Sequence, residues 1–195
     1  INDLDRASEL IAERLREEHD NGIIADLNGS MGTVCFKRGD YSSALDCCQK
    51  CLKMRLKIYS DSPHPDIAMS YNNIGAVYQS QGDYSTALDC CQKCLNMQLK
   101  IYSDSPHPDI ATSYNNIGLV YQSQGDYSSA LAWLRRGWAA LPPGQSPHRT
   151  KISRNIQETE QTIRKLVTCM VRTHHLLTIQ SQSHSPIMNR RLGLW

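Results

Sequence analysis

One phenylalanine in 195 residues, and 7% aromatic residues in all, leave this chain short of the large side chains that usually build a core. Nine tyrosines and eight cysteines fill in, and hydrophobic residues reach 40%, slightly low for a globular chain. An excess of charge is missing too. The net charge of +2 excludes the strongly basic composition of a nucleic-acid or membrane-surface protein. No run of about 18 apolar residues occurs, so no helix is expected to cross a membrane. The opening Ile1-Asn-Asp-Leu is neither an initiator methionine nor a secretory leader, so the chain reads as a fragment. No phosphate-cradling glycine loop and no Ser/His/Asp arrangement suggests itself, so no catalytic residue is assigned. The loops also lack cysteine. Seven of the eight fall inside helical patterns rather than in a disulfide framework, which points to a reducing, cytoplasmic setting.

What the chain does have is repetition. The stretch from Ser70 to Ser85 returns almost unchanged from Ser113 to Ser128, and a worn copy runs from Asn28 to Ser42. Tyr71, Ile74, Gly75 and Tyr78 lie at i, i+3, i+4 and i+7, one face of an α-helix. Gly82-Asp83 breaks that helix and Tyr84 begins the next. Between residues 57–88 and 100–131 only Met69/Thr112, Ala76/Leu119 and Thr86/Ser129 differ, which sets a period of 43 residues by tandem duplication. A helix–turn–helix unit of this kind cannot bury its apolar face alone and must stack on copies of itself.

The spacing predicts the following organisation. Residues 1–22 form the second helix of a truncated repeat, with Leu4, Ala7, Ile11 and Leu15 on one face and Asn21-Gly22 as its stop. Three units follow at 24–59, 66–102 and 109–141. In the first, Tyr41, Ala44, Leu45, Cys48, Cys51 and Leu52 make the packing stripe of the second helix. The linker Tyr59–Asp66, repeated as Tyr102–Asp109, is held extended by its prolines, and Pro65 and Asp66 suit a first helical turn. Residues 147–174 form a capping helix with Ile152, Ile156, Ile163, Leu166 and Val167 facing inward, and 175–195 a disordered tail.

These residues resemble the tetratricopeptide repeat (TPR). Its pattern of a bulky residue, then Leu-Gly, Tyr, Ala and Pro at fixed spacing is met by Tyr114, Ile117, Gly118, Tyr121, Ala130 and Pro142. The 43-residue period and the Ser-Pro-His-Pro-Asp linker resemble the kinesin-light-chain subtype. The resemblance implies an all-α, right-handed superhelical solenoid closed by a C-terminal capping helix. It also implies a non-catalytic scaffold of the cargo-adaptor kind, whose first helices line a groove for an extended peptide or partner protein. On that reading the groove carries Asn72, Asn73, Ala76, Gln79 and Ser80, with Met69, and then Asn115, Asn116, Leu119, Gln122 and Ser123, with Thr112. Asn73 and Asn116 are the foremost candidates, because an amide both donates to and accepts from a peptide backbone. The groove reads as neutral. Relatives that grip a C-terminal carboxylate place Lys or Arg there, and only Lys37 could serve, so no carboxylate clamp is expected.

Other readings are weaker. Cys47-Cys48-x-x-Cys51 and Cys90-Cys91-x-x-Cys94 have the spacing of zinc or redox sites. They lie on the packing stripe, however, where buried cysteine acts as a small hydrophobe, and the two clusters sit one repeat apart. No metal and no cofactor is therefore expected. His64 and His107 position the Pro-His-Pro turns. Arg135-Arg136 with Trp133 and Trp138 suggests a nucleic-acid stacking patch, against which stands tryptophan buried under the cap. Neither nucleic acid nor membrane is an expected partner. An enzyme-linked alternative remains, in which the array is the sensing part of a larger signalling NTPase.

Overall fold

The computed structural model describes residues 3–60, 62–103, 105–144 and 146–183, with side chains as far as Thr173. These residues form eight helices and no strand: α1 (Asp3–Glu17), α2 (Asn21–Lys37), α3 (Tyr41–Ile58), α4 (Pro65–Gln81), α5 (Tyr84–Tyr102), α6 (Pro108–Gln124), α7 (Tyr127–Ala139) and α8 (Pro147–Ser183). The tightest packing is within the pairs α2/α3, α4/α5 and α6/α7, then between each second helix and the next first helix. The first helices α2, α4, α6 and α8 also touch side by side. The result is a stack of helical hairpins.

Local chemistry fixes the corners. Gly82 and Gly125 take the left-handed conformation (φ 80° and 87°) that ends α4 and α6. Asp83 and Asp126 then cap α5 and α7 by accepting from the backbone N–H of Thr86 and Ser129. His64 and His107 are extended caps followed by proline at the first helical position. Each imidazole Nδ1 accepts from the Asp66 or Asp109 N–H at 3.2 Å, and each ring stacks on Tyr59 or Tyr102.

The buried faces are broader than the sequence stripe. Ile74 and Gly75 are buried as expected, but Tyr71 and Tyr78 are only half-buried. Ile67, Ala68, Ser70 and Val77 are the residues beside them that lose their exposure. The reason is that α4 sits between two second helices: Ser70 and Ile74 face α3, whereas Gly75 faces α5. Cys48, Ile74 and Cys90 form one core cluster. Ala87, Cys91, Leu95, Ile110, Ile117 and Val120 form a larger one in the next step.

Both ends depart from expectation. Asn21-Gly22 does not close α1. It begins α2, because the Asp20 carboxylate accepts from the N–H groups of Gly22 and Ile23 and starts a new helix there. On α8, Ile152 and Thr159 are buried and Ile156 and Ile163 half-buried, but Leu166 and Val167 are 46% and 54% exposed. At 1.5 Å per residue the 37-residue α8 is about 55 Å long, whereas the 17-residue α6 beside it spans about 25 Å. The second half of α8 therefore overhangs the stack, and among the described residues none covers Leu166 or Val167. With neither glycine nor proline between Pro147 and Ser183, the helix also runs through 175–183, which had been expected to be disordered. The rest of that expected tail, 184–195, lies outside the described residues.

Candidate peptide-binding groove

The face shared by α2, α4 and α6 carries the residues expected to meet a ligand, and the structure divides them. Asn116 donates its amide N–H to Asn72 Oδ1 at 2.5 Å. One turn on, Gln79 donates to Ser123 Oγ at 2.8 Å and to the Leu119 carbonyl at 3.2 Å. These bonds join α4 to α6 and leave part of each amide unused, since an amide has two donors and a two-lone-pair acceptor. Asn73 and Asn116 are one repeat apart and do not share a site. Asn73 and Ala76 line a cavity of about 140 Å³ with Gly32, Thr33 and Phe36 of α2, Cys48 of α3 and Val77. Ser80 and Ser123 are exposed, and Gln122 and Leu119 half-buried.

Asn115 is a correction. It is 1% exposed and accepts from Asn155 Nδ2 of α8 at 2.7 Å, so it is a buried, satisfied amide unable to reach a ligand. Asn155 stands to Asn115 as Asn116 stands to Asn72. The Asn155-Ile156 dipeptide, which repeats Asn73-Ile74 and Asn116-Ile117, was the available signal. By this contact α8 occupies the seat of a fourth first helix.

The groove is also less neutral than the stripe implied. Between α4, α5 and α6 lies a cavity of about 420 Å³. Its walls include Asp66, Met69, Asn72, Gln98, Asp109, Ser113 and Asn116. Asp66 and Asp109, placed by sequence in the first turns of their helices, also open onto this space. Tyr59 and Tyr102 each donate a hydroxyl to one of these carboxylates at 2.7 Å. Donation to Asp109 pushes the Tyr102 hydroxyl up to about 12, so it stays protonated. Lys37 is exposed in the last turn of α2.

The cysteine clusters turn inward. Burial pushes the Cys91 thiol up to about 12 and Cys48 to about 11, so neither is a thiolate at neutral pH, the form that a redox nucleophile requires. Among the described residues no group of three His, Cys, Asp or Glu could hold a metal ion. Arg136 covers the Trp133 ring at 4.6 Å, and Arg135 pairs with Glu160 at 3.0 Å. Trp138 is not buried under the cap as expected. It is 36% exposed, with the Arg149 guanidinium 4.4 Å over its ring. No helix among the described residues is long and apolar enough to cross a membrane.

Stacked helical hairpins with a lateral ladder between their first helices define an α-solenoid of the protein-interaction class. The tetratricopeptide repeat model matches residues 23–100 and again 66–141, and the chain belongs to that family. No curated protein sequence matches it significantly. Among solved structures it is similar to BtubC (BKLC) from P. vanneervenii, with a TM-score of 0.69 and 17% identity over 100% of this chain and 80% of that one. It is similar as well to a Podosopora anserina kinesin-light-chain protein of nearly identical TPR-like repeats, with a TM-score of 0.64 and 15% identity over 93% and 87%. The TPR2AB domain of yeast Sti1 in its pHSP90 complex gives a TM-score of 0.58 and 19% identity over 74% of this chain and 49% of that one. Kinesin-light-chain-like repeats are thus the fold that this chain shares.

Proposed function

We propose that this chain is a non-catalytic scaffold that receives an extended peptide or a segment of a partner protein along the α2–α4–α6 face. The observation that carries the reading is the row of half-buried amides Asn72, Asn73 and Asn116, which line two cavities on this face, with Gln79 one turn on. A peptide backbone offers matching groups every residue, so this row suits an extended chain. The Sti1 structure supports the reading by analogy of fold, since that domain is in complex with pHSP90. A cytoplasmic adaptor resembling kinesin light chain is the finer form of the proposal, favoured by the repeat subtype and by the six buried free thiols.

The test is a mixed-sequence peptide library panned against the wild type and against Asn73→Ala/Asn116→Ala, with melting temperatures of both recorded. Enrichment on the wild type that weakens about tenfold in the variant is expected from the loss of hydrogen bonds worth about 1 kcal/mol each, with a melting temperature lowered only by the lost Asn116–Asn72 bond. Equal enrichment on both proteins would reject the groove.

A further inference from the structure

The two junctions between successive whole repeats are copies of one another, yet only one of them is full. Where α3 meets α4, Arg55 is 6% exposed. Its Nη1 donates to the Asp66 carbonyl and to Ser70 Oγ, both at 3.0 Å, and its Nη2 to the Asp26 carboxylate at 2.8 Å. A shift of 43 residues carries Arg55 onto Gln98, Asp66 onto Asp109, Ser70 onto Ser113, Asp26 onto Met69 and Ile23 onto Asp66. The second junction therefore keeps a carboxylate, moved by one helical turn from the place of Asp26 to that of Ile23. It does not keep the cation. Gln98, shorter than arginine, accepts from Ser113 Oγ at 2.5 Å, and the space beside it is the cavity of about 420 Å³.

The chemistry of that space is one-sided. Asp66 and Asp109 both line it, and none of its lining residues is basic. On each carboxylate the tyrosine hydroxyl takes Oδ2. Among the described residues Oδ1 of neither carries a hydrogen bond from another side chain. Arg55, which bonds the Asp66 carbonyl, gives its carboxylate bond to Asp26. Asn72, Asn116 and Ser113 add neutral acceptors, and Met69 offers an apolar wall for a methylene stem.

We propose that this cavity is a seat for a cationic side chain, arginine before lysine, carried by the segment bound in the groove. The proposal rests on the groove reading above and names its specificity. Arg55 is the internal precedent: the same fold, one repeat earlier, closes this position with a guanidinium. Arginine is favoured because its planar fork can meet two acceptors at once, whereas an ammonium acts as a point charge.

The experiment pans a library of random decapeptides against the wild type and Gln98→Arg. The variant refills the seat with the protein's own guanidinium and should fold, because arginine is the resident at the equivalent position 55. Expected is enrichment of arginine or lysine at one position. The enriched peptide should bind about tenfold to a hundredfold more weakly to Gln98→Arg, and more weakly to the wild type when citrulline replaces arginine, as loss of a charged hydrogen bond implies. Peptides enriched without a basic residue, and bound alike by both proteins, overturn the seat and leave the groove standing. If nothing is enriched, the groove reading fails and the seat is decided by free Nα-acetylargininamide. Shifts of the Asn72, Gln98 and Asn116 side-chain amide signals, absent with the citrulline counterpart, support it, and no shift overturns it.

Discussion

The α3–α4 junction and the α5–α6 junction are built on the same sequence plan and hold together by different means. The first is small and rich in sulfur: Cys48, Ile74 and Cys90 make its core, and Arg55 ties α3 to both flanking first helices through Asp26, Ser70 and the Asp66 carbonyl. The second gathers Leu95, Ile110, Ile117 and Val120 around Cys91, closes with a neutral glutamine, and keeps an open acidic cavity. Where the apolar core is thin, a charged side chain supplies the tie. Where the core is larger, the tie is relaxed and the space is left for something else. Stacks of this kind make such a division possible because stability is close to a sum of nearest-neighbour interfaces, each adjustable on its own.

Truncating the core should break both junctions most severely. Ile74→Ala and Ile117→Ala, at sites 4% and 2% exposed, should each cost about 2–5 kcal/mol in urea unfolding. A difference between them reports how well each junction collapses around the lost volume. Arg55→Ala should cost about 2–3 kcal/mol through its charged hydrogen bonds, and Gln98→Ala about 1 kcal/mol. Asp26 is 71% exposed and is not stranded as a buried charge, which keeps the first figure below that for a fully buried pair. Equal losses for Arg55→Ala and Gln98→Ala would remove the contrast drawn between the junctions.

The glycines sharpen the comparison within the hairpins. A Cβ on Gly118 would stand 2.9 Å from Leu134 Cγ and 3.1 Å from the Ala130 carbonyl, whereas one on Gly75 would stand 3.3 Å from Cys90 Cβ and Cys91 Sγ. Gly118→Ala should therefore destabilise by about 1–3 kcal/mol. Gly75→Ala should be near neutral, its crowding offset by a helix-propensity gain of about 1 kcal/mol. The melting temperatures of the two variants decide it. The smallest effect concerns the caps. Hydrogen bonds from Ser43, Thr86 and Ser129 hold the carboxyls of Asp40, Asp83 and Asp126 below their ordinary value of 3.8. A lowered folded value means that the stabilisation is complete above 3.8 and is lost as pH falls through the lower value. Asn at these positions still caps but cannot titrate, so Asp83→Asn should flatten the acid limb of a stability–pH profile and leave the neutral plateau unchanged.

Much of the fold was legible because it is written more than once. The 43-residue period, the Gly-Asp turns and the Pro-His-Pro-Asp caps are local signals, and each recurs in a form that could be checked against its copy. What escaped depends on neighbours that repetition does not reveal. Asn115 and Asn72 have near-identical surroundings in sequence and each accepts from an asparagine of the next first helix, yet Asn115 is buried whereas Asn72 lines the open cavity between α4, α5 and α6. Leu166 and Val167 keep the spacing of an inner face, but α6 is too short to lie beneath them. The acidic cavity arises from Arg55 against Gln98 and Asp26 against Met69. The first of these pairs falls two residues outside the near-identical segment 57–88, where the copies no longer match.

The near-identity of the two junctions also makes the array divisible. Excising residues 57–99 joins Leu56 to Lys100 and regenerates the local sequence Arg-Leu-Lys-Ile-Tyr without a seam. In that shortened chain Arg55 would face Asp109 and Ser113, and Asp26 would again supply its carboxylate, so the surviving junction would be of the closed kind. A shortened chain should fold as a one-repeat-smaller solenoid without the acidic seat, and duplication of the same block should add a second one. A gene built of such copies can change its repeat number by unequal exchange, and in this protein a step in copy number would be a step in the number of open seats.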